Sequence, residues 1–163
     1  MYIPAISIKY FNIALVLFAL TCSLAAAWEE YVTATPDGDS LKVKRGNRVY
    51  EIRLYGIDSP EYGQSYWRDG GGFTRALVLG ERVSIEPLDT DRYGRIVALV
   101  RKQGRLLNSE LVRNGPAWVY PRYCHAQPLC MELELLERGA RRQRLGLWRE
   151  KAPKPPWLWR KGR

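Results

Sequence analysis

The chain has 163 residues, of which 26 are basic and 17 acidic, and its formal net charge is +9 at pH 7. This length allows one compact domain with a real core and argues against a second domain. The excess of positive charge favours a polyanionic ligand, although the same charge could serve solubility or attraction to an anionic membrane.

The first 27 residues have the three-part layout of a secretory signal. They contain one charge, Lys9, then the apolar run Phe11 to Leu20, then small residues that end at Ala27. The alternative is an uncleaved membrane anchor, but polar residues interrupt this segment and it falls short of the ~20 apolar residues of a spanning helix. We therefore predict cleavage after Ala27, a mature chain that begins at Trp28 without a membrane span, and export to the periplasm or the medium.

The first half of the mature chain alternates short apolar runs with turn residues. Asp37-Gly38 and Arg45-Gly46-Asn47 provide turn chemistry between the first three runs. This pattern predicts a meander of hairpins and five strands in all. The predicted strands are Val32 to Thr35, Leu41 to Val43, Val49 to Leu54, Val83 to Leu88 and Ile96 to Val100.

Two helices are predicted in the second half. Asn108 can cap a short helix that Gly115 ends, and the inward face of this helix would hold Leu111 and Val112. Apolar residues at helical spacing predict a longer amphipathic helix from about residue 130 to 144.

A third helix and a basic tail are less regular in sequence. The helix should lie between Ser65 and Leu79, and because each glycine in Gly70 to Gly72 costs a helix ~1 kcal/mol, we expect it to be short or broken. Prolines in the tail, residues 149–163, predict a solvated arm without regular structure. Trp157 and Trp159 among its charges slightly favour contact with nucleic acid.

Cys124 and Cys130 are the two cysteines that remain after signal cleavage. An exported pair at this spacing predicts a disulfide. A metal site is the alternative, but His125 is the sole histidine of the chain, so the ligands of a tetrahedral site are too few. His125 is expected to be a loop residue and not a catalyst.

Three segments at strand ends or turns concentrate residues that suit phosphodiester hydrolysis. Asp39 and Asp58 are oxygen donors suited to a hard cation, and Glu61 could take the proton of an attacking water. Arg53 and Arg95 could each grip phosphate oxygens with two parallel N–H groups, which lysine cannot do. Singly, each has an ordinary structural explanation, such as an Asp-Gly turn or a solvated arginine; their joint occurrence favours a site.

The same residues resemble a known family. Asp-Gly-Asp at 37–39, Arg-Leu-x-Gly-Ile-Asp-x-Pro-Glu at 53–61 and Asp-Arg-Tyr-Gly-Arg at 91–95 are followed by further matching residues between Asn108 and Trp148. In this order, over about residues 32 to 148, they are similar to the thermonuclease, or staphylococcal-nuclease-like, family.

The resemblance implies an α+β, mainly β fold in which residues 28–148 form an OB-fold barrel of five strands with three helices. It also implies a Ca²⁺-dependent endonuclease that acts on DNA and RNA and leaves 3′-phosphorylated products. No stable protein partner is implied, and a monomer is expected. The alternative is an OB-fold module that binds nucleic acid without cutting it.

Residue by residue, the resemblance makes Asp39, Asp58 and the backbone carbonyl of Ser59 the calcium ligands, and it makes Arg53, Glu61 and Arg95 the catalytic trio. Substrate contacts would come from Arg92, Tyr93 and Tyr123. For the two tyrosines a structural role competes, since Tyr93 could pack in its turn and Tyr123 could brace the disulfide loop.

Overall fold

A computed structural model of the chain describes residues 26–162. Residues 1–25, which hold nearly all of the predicted signal, lie outside the described residues, so the signal stays a prediction. Within the described part, no helix has the length and apolar character needed to cross a membrane.

The described chain is a strand-rich first half followed by helices. In chain order its elements are strands β1 (Trp28–Ala34), β2 (Ser40–Arg45), β3 (Arg48–Leu54) and β4 (Ile57–Asp58), helix α1 (Trp67–Val78), strands β5 (Arg82–Thr90), β6 (Ile96–Lys102) and β7 (Arg105–Leu106), helix α2 (Leu107–Asn114), strand β8 (Trp118–Val119), and helices α3 (Leu129–Arg142) and α4 (Pro156–Lys161).

Five strands close into a barrel. They pair antiparallel in the order β3-β2-β1-β5-β6, and a parallel pairing between β3 and β6 joins the two ends. Alternate side chains of each strand point inward, as in Leu41 and Val43 of β2 and Ile52 and Leu54 of β3, all of which are buried. The five predicted strands and the OB-type barrel are confirmed. Each strand extends beyond its predicted bounds by one to four residues at one or both ends, although Thr35 lies outside β1, and the short strands β4, β7 and β8 were not predicted.

Helices α2 and α3 form where the apolar spacing predicted them; α2 packs against β6 of the barrel, and α3 packs against α2 and β8. Leu111 and Val112 of α2 are fully buried, and Gly115 ends the helix in the left-handed conformation with φ of +83°. Asn108, however, does not cap α2. It is buried in the helix, where its amide donates to the Tyr55 carbonyl and its oxygen accepts from Val100 N–H. The prediction of a cap was wrong because a tertiary partner takes up this side chain.

Helix α1 runs unbroken for 12 residues, which corrects the expectation of a short or broken helix. Gly70 is buried where a Cβ would lie 3.3 Å from the Pro116 carbonyl, so the glycine permits a close approach. Thr74, also buried, donates to the Gly38 carbonyl at 2.7 Å. Burial of one helix face offsets the low helix propensity of the glycines.

The C-terminal tail is ordered against the domain, which corrects the expectation of a solvated arm. Pro156 is buried at the first position of α4, where its missing N–H needs no partner. Trp157 packs against the cluster of Trp118, Trp148 and Leu147. The prolines thus begin a helix, and the structure has four α-helices in its described part where three were predicted.

A candidate active site

One side of the barrel opens into a cleft of about 1630 Å³. Strand ends and turns form its floor, α1 borders it on one side, and the disulfide loop and α4 border it on another. The cleft is lined by every residue that the sequence singled out for catalysis, metal binding or substrate contact: Asp39, Arg53, Asp58, Ser59, Glu61, Arg92, Tyr93, Arg95 and Tyr123.

Asp39 lies immediately before β2, in a turn that is tightly held. Its N–H donates to the Asp37 carboxylate at 3.0 Å, and its carbonyl accepts from Leu54 N–H at 2.9 Å. Gly38 passes so close to Ser59 that a Cβ would lie 2.7 Å from the Ser59 Cβ. The small residue between the two aspartates therefore lets the two chain segments of the site meet.

A single guanidinium group joins the two candidate metal ligands. Arg53, at the end of β3, contacts Asp39 Oδ1 through Nη1 and Asp58 Oδ1 through Nη2, each at 2.8 Å. Asp58 comes from β4, immediately after the turn that follows β3. The strand end and the turn thus bring residues 39, 53 and 58 into direct contact.

Burial dominates the electrostatics of both aspartates. Asp39 is 4% and Asp58 2% exposed. Loss of solvent raises the pKa of each carboxyl above its ordinary value, Asp39 the more so, even though Arg53 acts in the opposite direction on Asp39, and Arg160 and Arg53 do so on Asp58. Burial therefore disfavours the ionised form of both carboxyls unless further positive charge lies nearby.

These two carboxylates fit a hard dication. Both are buried oxygen donors on rigid strand ends, and a dication would favour the ionised form that burial opposes. Among residues 26–162 no cluster of three or more His, Cys, Asp or Glu could hold a metal. A cation here would complete its shell with backbone, water or substrate oxygens. Ser59 donates its N–H to Asp39 Oδ2 at 2.6 Å, and the role of its carbonyl stays a prediction.

Glu61 stands beside Asp58 at the mouth of the cleft. Its backbone N–H donates to the Gln64 side chain at 3.0 Å, and its own side chain is 38% exposed. The carboxylate is paired with Arg160 of α4. A carboxylate that is partly open to water is suited to accept a proton from it.

Arg95 reaches the cleft from the turn between β5 and β6. Asp91 fixes it, since the Asp91 carboxylate accepts from Arg95 Nε, Nη2 and backbone N–H at 2.8 to 3.0 Å. Burial alone would raise the pKa of Asp91, but these hydrogen bonds lower it below its ordinary value. The structure therefore brings Arg95 into the same cleft as Arg53, held by its own carboxylate.

The candidate substrate contacts form an exposed rim. Tyr93 is 69% and Tyr123 55% exposed. Arg92 lies over the Tyr93 ring at 4.8 Å and donates to its hydroxyl at 2.6 Å. Tyr123 meets the ring of Tyr120 edge-on. Exposed rings beside guanidinium groups suit stacking on unpaired bases.

Cys124 and Cys130 form the predicted disulfide, with Cα atoms 5.6 Å apart. Cys124 packs against Gly56, where a Cβ would lie 2.7 Å from the sulfur. The Tyr55 hydroxyl accepts N–H groups from His125 and the following residue, both at 2.9 Å. The loop is thus tied to the turn between Arg53 and Asp58.

Sequence reasoning gave no role in this cleft to Tyr120 or Arg160, and it connected Trp157 with nucleic acid only as part of a solvated arm. Tyr120 follows β8, and the Trp157 ring lies parallel to its ring at 4.8 Å between centroids. The alternation of tryptophan and basic residues in the tail was a signal for this surface, but nothing in the sequence predicted that the tail returns to the acidic cluster.

Comparisons with known proteins agree with this geometry. Residues 51–150 match the family model described as staphylococcal nuclease homologue. An uncharacterized endonuclease of Escherichia coli is 37% identical over 153 residues, which cover 93% of this chain and 97% of the relative. A micrococcal nuclease of Shigella flexneri is 31% identical over 83% of this chain and 83% of the relative. A staphylococcal-like nuclease of Arabidopsis thaliana is 34% identical over 71% of this chain and 35% of the relative. The chain therefore belongs to the staphylococcal nuclease family and is a nuclease.

Proposed function

We propose that the chain is an exported, Ca²⁺-dependent endonuclease that hydrolyses DNA and RNA as a monomer and leaves 3′-phosphorylated products. The observation that carries this proposal is the contact of Arg53 with both Asp39 and Asp58, in one cleft with Glu61 and Arg95.

In this proposal the carboxylates of Asp39 and Asp58, with the Ser59 carbonyl, would hold the cation, which would supply positive charge that stabilises the anionic transition state. Arg53 and Arg95 donate to the phosphate oxygens, whose charge increases as the phosphorus becomes five-coordinate. Glu61 accepts the proton of the attacking water.

Arg92, Tyr93 and Tyr123 are proposed to hold the strand. Two exposed rings and a guanidinium group along a basic cleft suit an unpaired strand, since every base offers a face for stacking and every nucleotide a phosphate. Such contacts carry little base specificity, which supports action on both DNA and RNA.

The decisive experiment is digestion of single-stranded DNA and of RNA by the purified protein, with Ca²⁺ and then with chelator. We expect cleavage in the first case and intact substrate in the second. Cleavage that persists in chelator would contradict metal dependence, whereas tight, salt-sensitive binding without cleavage would support the non-catalytic module. If the products carry 3′-phosphates, a polymerase should extend them only after phosphatase treatment.

Export has a separate test. The apolar first segment of the sequence and the disulfide both support an oxidising compartment. Fractionation of expressing cells should place a shortened chain that begins at Trp28 outside the cytoplasm. A full-length chain in the cytoplasm would contradict this part of the proposal.

A further inference from the structure

The C-terminal segment runs back across the loop that carries Glu61. Ser65 Oγ donates to the Glu150 carboxylate, and Gln64 Nε2 donates to the Lys154 carbonyl. The oxygen of the same Gln64 amide accepts the backbone N–H of Glu61. The tail and the Glu61 loop are therefore joined at two points before the tail reaches the cleft.

Aromatic packing sets the position of α4. The Trp157 ring is stacked on Tyr120 with only 6° between the ring planes, and it meets the edge of Trp118 at 5.9 Å. Arg160 follows Trp157 by three residues, so both side chains project from the same face of the helix. Docking of the indole thus directs the guanidinium group to the acidic cluster.

Arg160 makes the third contact between the tail and the rest of the domain, and this contact lies within the candidate active site. Nη2 lies 2.8 Å from Asp58 Oδ2, Nη1 lies 3.3 Å from Asp58 Oδ1, and Nη1 also contacts Glu61 Oε1. Arg53 already joins Asp39 to Asp58. The five side chains therefore form one continuous row of ion pairs with alternating charge, in the order Asp39, Arg53, Asp58, Arg160, Glu61.

We propose that Arg160 is a positioning residue that holds the Glu61 carboxylate beside Asp58 in the geometry needed for proton transfer. Without it, a partly exposed glutamate would face a buried aspartate of like charge, and repulsion would turn the flexible side chain into solvent. A planar fork can hold two carboxylates at fixed angles, whereas an ammonium group cannot. Partners of this kind, which bind a metal ligand without touching the metal, orient it and support activity.

This inference rests on the proposed roles of Asp58 and Glu61, but it concerns a residue beyond the part of the chain that matches the family model. A competing explanation is an inhibitory contact, in which the guanidinium group occupies carboxylate oxygens that a cation needs. The two explanations predict opposite effects when the side chain is removed.

The experiment compares Arg160→Ala, Arg160→Lys and the matched control Lys151→Ala, which removes one charge from an exposed position of the same tail. For each full-length variant, kcat and KM on single-stranded DNA with Ca²⁺, Ca²⁺ affinity by calorimetry, and the thermal midpoint are measured. We expect Arg160→Ala to lower kcat about 10- to 100-fold, with smaller changes in KM and Ca²⁺ affinity, and Arg160→Lys to recover only part of the loss. Lys151→Ala should match the wild type.

A chemical rescue separates positioning from general destabilisation. Free guanidinium ion at millimolar concentration should restore part of the lost rate in Arg160→Ala, and it should leave Arg160→Lys unchanged. Wild-type kcat in Arg160→Ala, or higher activity and tighter Ca²⁺ binding, would overturn the positioning role and leave the proposed function intact. An inactive wild type would overturn both.

Discussion

The substitution Arg53→Lys separates the geometry of the site from its charge. Arg53 donates to two buried carboxylates at 2.8 Å and, more weakly, to the Leu54 carbonyl at 3.4 Å. A lysine keeps the positive charge but cannot join both carboxylates. Loss of one charge-assisted hydrogen bond should destabilise the fold by about 2 kcal/mol. The rate should fall much further, about 10²- to 10³-fold in kcat, because a donor to the transition state is lost.

The assay is cleavage of end-labelled single-stranded DNA at saturating substrate and Ca²⁺, with a thermal melt of the same samples. Arg48→Lys is the matched control, since it makes the same exchange at the exposed start of the same strand. We expect the control to match the wild type in both measurements, and Arg53→Lys to remain folded at 25 °C while kcat falls. An Arg53→Lys variant with near-normal kcat would refute the role of the guanidinium fork.

Three further predictions concern stability. Burial raises the pKa of Asp39, so the folded chain binds this proton more tightly than the unfolded chain, and the contribution of Asp39 to stability declines as the pH rises from about 4. The melting point of the wild type relative to that of Asp39→Asn, measured without divalent cation, should therefore fall as the pH rises from about 4 to 7, and a relative melting point that rises over this range would contradict the assignment. Gly115→Ala should lower the free energy of unfolding by at least ~2 kcal/mol, because φ is +83° and a Cβ would overlap a neighbouring backbone carbonyl. Gly139→Ala, where a Cβ meets open space within α3, should raise it by up to ~1 kcal/mol. Denaturant titration of both variants measures the two changes. Replacing Cys124 and Cys130 by serine should lower stability by roughly 2 kcal/mol, as expected for closure of so short a loop, and an unchanged midpoint in the same titration would show that packing alone holds this segment.

The barrel could be predicted because its signals are local. Strands β2 and β3 alternate buried and outward residues with turn residues between them, so residues 40–54 by themselves show the strand period. The tail shows the opposite case. Its three prolines were interpreted as breakers, yet Pro156 begins α4, because burial of Trp157 in the aromatic cluster provides the stabilisation that local propensity lacks.

The amino-acid sequence alone placed Asp39, Arg53, Asp58, Glu61 and Arg95 at strand ends and turns, where a barrel presents polar groups, and all five line the cleft. Only the tertiary structure decided how their charges are balanced. Arg160 follows Asp58 by 102 positions, and the ion pair between them depends on the closure of the barrel and on the docking of Trp157 against Tyr120. Contacts of this kind follow from packing in three dimensions, and no local period in the sequence encodes them.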